Sequence, residues 1–474
     1  MRMVSACAVC VLMLCASAAF GAQIEIAKDR MLVVNGERTF VLGLYDNPQD
    51  DALLRQVVDA GFNLISCGAS REALDRLQSA GAFAWVNLGS NIDLSESAEE
   101  RRQSLLGFVN EFGAHPALLA LEVPDEALWG CWYGPVHWRL YEEPELQRKA
   151  IDALQDEQVA QALREKQPRA RELFDGGRFR DAEQLADSIW ADLGTTSPKP
   201  GYNVSGAREA AEKTRGGLLA GYQYLKSLGL RQPIWMNHAP RNQIPQLAAF
   251  SEAADIVGCD IYPVPEYQVG HSDLADRSIS SVGAYTLRMQ EAAPGKPVWM
   301  VLQGFAWRDL EPSMEAARAE IMGPPEFEET RFMAYDAIVR GARGILYWGS
   351  SAISKDSELW RDLLALAREL KAMRHVIAAP DANLRLTVTY EQTWGSVDRS
   401  VVVLPKAVGG RTWLLAVNEW TEPLTYTIHG LERMEGATYV DTASQQQAAV
   451  RDGALTLTIA GNGVHVLEPR GAGE

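Results

Sequence analysis

The sequence of 474 residues is short of cysteine, of histidine and of positive charge, and each shortage removes a class of function. Three of the six cysteines fall within the first 22 residues, which leaves Cys67, Cys131 and Cys259. Three scattered thiols make no disulfide framework, and Cys67 and Cys259 lie in apolar runs where burial is the expected fate. The seven histidines (115, 137, 238, 271, 375, 429 and 465) lack metal-ligand spacing, so neither a metal nor another cofactor is expected. There is no Gly-x-Ser-x-Gly elbow for an acyl-transfer nucleophile, and no Gly-rich phosphate loop follows a strand-like run. Against 62 Asp and Glu stand 45 Lys and Arg, a net charge of −17. That balance opposes nucleic acid or an anionic membrane as partner, since both require a basic face. Beyond the N-terminus no apolar run reaches the ~20 residues of a spanning helix, so no integral membrane segment is expected. Composition does not bear on oligomeric state.

Apolar residues make up 47% and charged residues 23%, the balance of a globular chain rather than a disordered one. Arg2, an uncharged apolar run from Met3 to about Ala19, and Phe20-Gly21-Ala22 have the layout of a secretory signal. Residues 1–22 are therefore expected to be a signal peptide, and the protein to be secreted or periplasmic.

After a hairpin signal at Asn35-Gly36, eight nearly continuous apolar runs follow. They begin at Phe40, Asn63, Phe83, Leu118, Pro233, Ile256, Pro297 and Gly344. Strands buried on both faces read this way. Helical stripes separate them, such as Leu54, Val57 and Val58, or Leu363, Leu364 and Ala367. Ser97 with Glu100 reads as a capping box. Eight strand–helix pairs predict a (β/α)8 barrel over 23–378, with a doubly wound open sheet as the alternative. Residues 127–232 are far more than one crossover needs, so a helical insertion is expected after strand four, at about 140–200. Past the linker Ala378-Ala379-Pro380-Asp381 the period becomes two, as in Leu384, Leu386, Val388 and again Leu455, Leu457, Ile459. Six or seven such strands, with Asp452-Gly453 as a hairpin turn, predict an antiparallel β-sandwich over 379–474.

Barrel enzymes place their chemistry at the C-terminal ends of the strands. Here those ends carry Tyr45 and Asp46, Cys67, Asn87, Asp125 and Glu126, then Asn237 and His238, Asp260 and Tyr262, Gln303 and Trp307, and Tyr347 with Trp348. Carboxylates, amides and flat rings on one rim suit carbohydrate chemistry: proton transfer, hydroxyl contacts and stacking on pyranose faces. Five of the 13 tryptophans, Trp129, Trp132, Trp138, Trp307 and Trp348, fall at or just beyond strand ends.

His115-Pro116-Ala117-Leu118-Leu119 leading to Pro124-Asp125-Glu126 resembles the fourth-strand segment of the large (β/α)8 glycoside hydrolase clan that includes β-galactosidases and cellulases. Gly258-Cys259-Asp260-Ile261-Tyr262-Pro263 is similar to its sixth strand, Lys296 to Leu302 to its seventh, and Arg331 to Trp348 to its helix-seven-to-strand-eight passage. The resemblance implies that Glu126 is the general acid/base. By their places at the strand ends and rim, Tyr45, Asn87, Asp125, Trp129, Asn237, His238, Tyr262, Gln303, Trp307 and Trp348 are the expected sugar contacts, with a structural histidine as the alternative for His238. In two places the chain departs from the clan. Asp125 stands where many members carry Asn, and Gln303 stands where retaining members carry a nucleophilic Glu. An amide cannot attack an anomeric carbon. Asp260 is then the favoured second carboxylate: two strands from Glu126, its backbone is expected ~10 Å away, which suits the ~6.5–9.5 Å carboxyl separation of an inverting enzyme. The implied function is an exported hydrolase of β-linked sugars with a carbohydrate substrate. The alternative is a carbohydrate-binding protein on a degenerate barrel.

Overall fold

A computed structural model describes residues 21–269, 272–391 and 401–470. The expected signal segment lies outside them apart from Gly21 and Ala22. The eight apolar runs form eight parallel strands: β1 (Val41–Leu44), β2 (Leu64–Ser66), β3 (Phe83–Asn87), β4 (Leu118–Glu122), β5 (Ile234–His238), β6 (Ile256–Ile261), β7 (Val298–Gln303) and β8 (Gly344–Trp348). Each pairs with its neighbours in sequence, and β8 closes the barrel on β1 through Gly344↔Val41 to Tyr347↔Leu44. Ahead of β1, Leu32–Val34 and Glu37–Thr39 pair across Asn35-Gly36, both at positive φ as a type I′ turn requires.

The barrel interior is filled by tryptophan. Trp85, Trp235 and Trp299, on the odd strands β3, β5 and β7, are all fully buried, and neighbouring rings lie 5.9 and 5.6 Å apart. Odd strands share a layer in such barrels, and the facing even strands must make room. Here they do so with glycine. A Cβ on Gly258 of β6 would sit 2.2 Å from the Trp299 carbonyl oxygen and 2.9 Å from the Trp235 indole nitrogen, and one on Gly344 of β8 would sit 2.7 Å from the Trp299 ring.

Between β4 and β5 the chain runs through helices Ala127–His137, Glu143–Asp152, Glu157–Asp175, Phe179–Asp192 and Ala207–Ser227, with a π-helical turn at Trp138–Glu142. The last of these buries Leu218 and Leu225 against the barrel. The three before it carry a small core of Ile151, Ala160, Leu163 and Ile189. Trp138 is buried among them, 1% exposed, and not at the rim. Beside it Arg139 pairs with buried Glu143 at 2.8 Å and with Asp187 at 2.9 Å. The Ser97 capping box does not form. Ser97 is in the left-handed region and its side chain caps nothing.

Eight C-terminal strands among the described residues form two antiparallel sheets. Thr387–Tyr390, Leu424–His429 and Ala454–Ile459 face Val401–Val408, Arg411–Asn418, Val464–Arg470, Thr438–Asp441 and Gln447–Ala449 across a core that includes Tyr426, Tyr439, Leu455 and Leu467. The outer face of the larger sheet packs Trp413, Leu415, Val417 and Val466 into the barrel's own core. Its main contact is the helix Phe327–Val339, where Arg340 also grips Glu419 at 2.6 Å. Trp360 and Leu364 pack in the barrel wall.

Candidate active site

Side chains on a strand alternate, so residues two apart share a face. Starting from the inward tryptophans, this alternation turns Asn87, Glu122, Asn237 and Asp260 toward the barrel axis at its C-terminal mouth. Asn237 Nδ2 donates to Asp125 at 3.0 Å and, at 3.4 Å, to Asp260. Its Oδ1 is buried and without a partner. A pocket of about 240 Å³ opens above, lined by Tyr45, Asp125, Glu126, Asn237, Asp260, Tyr262, Trp307 and Trp348. Tyr262 and Trp348 stack there, 5.6 Å apart at 17°.

Glu126 has a backbone few side chains adopt. At φ 48° and ψ 36° it is left-handed, at the N-cap of Ala127–His137, a conformation that costs a non-glycine residue about 1–2 kcal/mol. That turn ends the β4 excursion and aims the carboxyl back over the mouth. Burial, and after it the charge of Asp125, raise its pKa to about 7, while a hydrogen bond with Asp260 works the other way. Asp260, 4% exposed, is pushed well above the carboxylate range by burial, then by Glu126 and Asp125. Below them Glu122, 2% exposed, is raised to about 8 by burial and Asp125, against hydrogen bonds from Trp85 at 3.1 Å, Asn87 at 3.0 Å and Tyr45 at 3.2 Å. The mouth thus gathers four carboxyl groups. Asp46, also at a strand end, is occupied by Lys355 at 2.6 Å.

The structure corrects three expectations. Glu126 and Asp260 are joined by a hydrogen bond, so no water's width separates their carboxyls. Both side chains reach inward from their backbones and close the gap. Gln303 is 0% exposed and does not face the pocket. Its Oε1 accepts from Val264 N–H at 3.0 Å, and its Nε2 donates to the carbonyls of Val264 at 2.8 Å and Phe305 at 3.1 Å. It braces the loop after β6. His238 follows an inward Asn237 and is therefore turned outward. It is 1% exposed, bonded to Ser251 at 3.2 Å, and burial lowers its pKa to about 3.

Asn87 stands exposed beside the pocket with its amide on Glu122. Trp129 lines a second cavity, of about 390 Å³, which also touches Glu126 and Trp307. Sequence reasoning missed this outer cleft because Arg241 and Met314, which help to wall it, lie in loops and Arg318 in the short helix Ala316–Ile321, none of them at a strand end. Trp132 is tied to Asn242 at 3.1 Å and supports Trp129 edge-on. Among the described residues no cluster of His, Cys, Asp and Glu is arranged to hold a metal ion, and no helix is long and apolar enough to cross a membrane.

No family model and no curated protein matches the chain. Solved structures do. It is similar to a glycoside hydrolase family 5 protein from Bacteroides vulgatus, at 11% identity and a TM-score of 0.52, over 94% of this chain and 92% of that one. It is also similar to a GH42 β-galactosidase from G. stearothermophilus, at 11% identity and a TM-score of 0.50, over 91% of this chain and 98% of that one. The fold is that of the barrel glycoside hydrolases. At such identities the likeness is one of fold alone. The chain spans 60% of the β-galactosidase from the psychrophilic Marinomonas ef1, at 13% identity and a TM-score of 0.43.

Proposed function

We propose that the protein is an exported glycoside hydrolase of β-linked sugars in which Glu126 is the general acid. The carrying observation is the position of Glu126, a carboxyl with a pKa near neutrality at the boundary of two cavities. A general acid must be protonated at working pH and must reach the oxygen of the bond that breaks. The stacked Tyr262 and Trp348 suit a pyranose face, and the orphan Asn237 Oδ1 suits a sugar hydroxyl. Asp260, joined to Glu126, is the second carboxyl of the site. Export rests on the layout of residues 1–22, and β-linkage on the resemblance of the fourth-strand segment.

The absence of a carboxylate at the end of β7, where Gln303 is fully engaged by backbone, favours a second reading in which the barrel binds carbohydrate without cleaving it. A screen of the purified protein against aryl β-glycosides and β-linked polysaccharides, with products analysed, separates the two. Turnover that is lost in Glu126→Gln supports the hydrolase, and NMR of the first-formed anomer tells attack by water from attack by a carboxylate. Binding without turnover on every substrate overturns the enzyme reading.

A further inference from the structure

Glu126 lines both the inner pocket and the outer cleft. On the reading above, on which this inference rests, the scissile bond lies at that boundary. The inner pocket takes the sugar that keeps its anomeric carbon, and the outer cleft takes the leaving group. The two compartments differ in charge. Asp125, Glu126 and Asp260 line the inner one without a cation. The outer one presents the guanidiniums of Arg241 and Arg318 beside the ring of Trp129, which stacks on Tyr133 with centroids 4.5 Å apart.

Acidic residues outnumber basic ones, and several surface arginines take acidic partners, as Arg164 does with Glu157 at 2.8 Å and Arg215 with Glu252 at 2.6 Å. Arg241 and Arg318 are exposed and form no ion pair among the described residues. Glu311 shares the cleft and pairs with neither. A guanidinium presents a planar fork of donors that matches carboxylate or sulfate. We propose that the outer cleft is a leaving-group subsite for a unit bearing a carboxylate or sulfate, whereas the inner pocket takes an uncharged sugar.

The test is calorimetric titration of Glu126→Gln protein with aryl β-glycosides of glucose, galactose, mannose and xylose. Each sugar carries a 4-carboxyphenyl, 4-sulfooxyphenyl or uncharged 4-carbamoylphenyl aglycone. At least one anionic aglycone is expected to bind about tenfold or more tightly than the carbamoyl one. Comparing the carboxyl and sulfate arms identifies which anion is preferred. The preference should shrink with added salt and vanish when Arg241→Ala and Arg318→Ala are combined. Equal affinity for charged and neutral aglycones, a preference that survives the double substitution, or no binding of any probe overturns the proposal. Wild-type turnover of neutral glycosides alongside such a result leaves the hydrolase reading standing. Arginine-dependent binding without turnover of any substrate by the wild type sinks the hydrolase reading but not the anion site.

Discussion

Gln303 holds Val264 by both its backbone groups, accepting the N–H at 3.0 Å and returning an N–H to the carbonyl at 2.8 Å. A glutamate here would face the Val264 and Phe305 carbonyls with oxygen against oxygen. Gln303→Glu is therefore expected to destabilise the protein by about 1–3 kcal/mol or more, the cost of an unsatisfied buried polar group, and not to restore a nucleophile. Thermal unfolding and an activity screen of the variant check both halves. A stable variant that gains a retaining activity would overturn the bracing role.

Glu126→Gln should lower turnover of substrates with poor leaving groups by about 10²–10⁴ while leaving the fold intact. The wild-type rate should fall as pH rises through about 7, where Glu126 loses its proton. Asp125→Asn removes a charge that raises the Glu126 pKa, so the alkaline limb should move to lower pH. A pH profile of kcat/KM reads all three. An alkaline limb that stays in place in Asp125→Asn contradicts the coupling.

Glu122 titrates near 8 in the folded chain, above the ordinary glutamate value of 4.5. A carboxyl raised by folding contributes stability that is fully present below the unfolded pKa and is lost as pH rises through the folded one. Wild-type stability should therefore decline between about pH 4.5 and pH 8 through this group. In Glu122→Gln the amide keeps an acceptor for Trp85 and Asn87, and the decline should flatten. Urea unfolding at several pH values measures it, and parallel curves for the two proteins would refute the assignment.

Ending the chain after Pro380 uncovers the helix Phe327–Val339 and strips Trp413, Leu415, Val417 and Val466 from the barrel core. The truncated barrel is expected to aggregate or to melt well below the full chain. Scanning calorimetry and size-exclusion chromatography decide it. An unchanged melting temperature would make the sandwich an appendage.

The barrel was legible because doubly buried strands leave unbroken apolar runs, and each of the eight became a strand. The insertion was legible from arithmetic on chain length. Positions failed where a side chain's facing mattered more than its address. His238 ends a strand but has the wrong parity, which counting outward from Trp235 would have revealed. Gln303 has the right parity, but the loop after β6 folds over it, and no local pattern encodes that. The contact between Glu126 and Asp260 depends on a left-handed residue that sequence does not announce. The arginines of the outer cleft come from the connections after β5 and β7, one from a bend and one from the six-residue helix Ala316–Ile321, too short to show a period.

The interior tryptophans also tie distant parts of the chain to one another's histories. Trp299 fits because residue 344 has no side chain: a methyl there would meet its indole, whereas one at 258 would meet the backbone carbonyl of residue 299 and the Trp235 indole nitrogen. In descendants of this sequence, a larger residue at 344 should appear only after the indole at 299 has been replaced by something smaller. A lineage that has lost Trp299 is then released at 344 but stays bound to glycine at 258, where the carbonyl of residue 299 still stands. Such paired exchange at 299 and 344, with 258 held fixed, would mark the relatives of this barrel even after the residues of its mouth had diverged to other substrates.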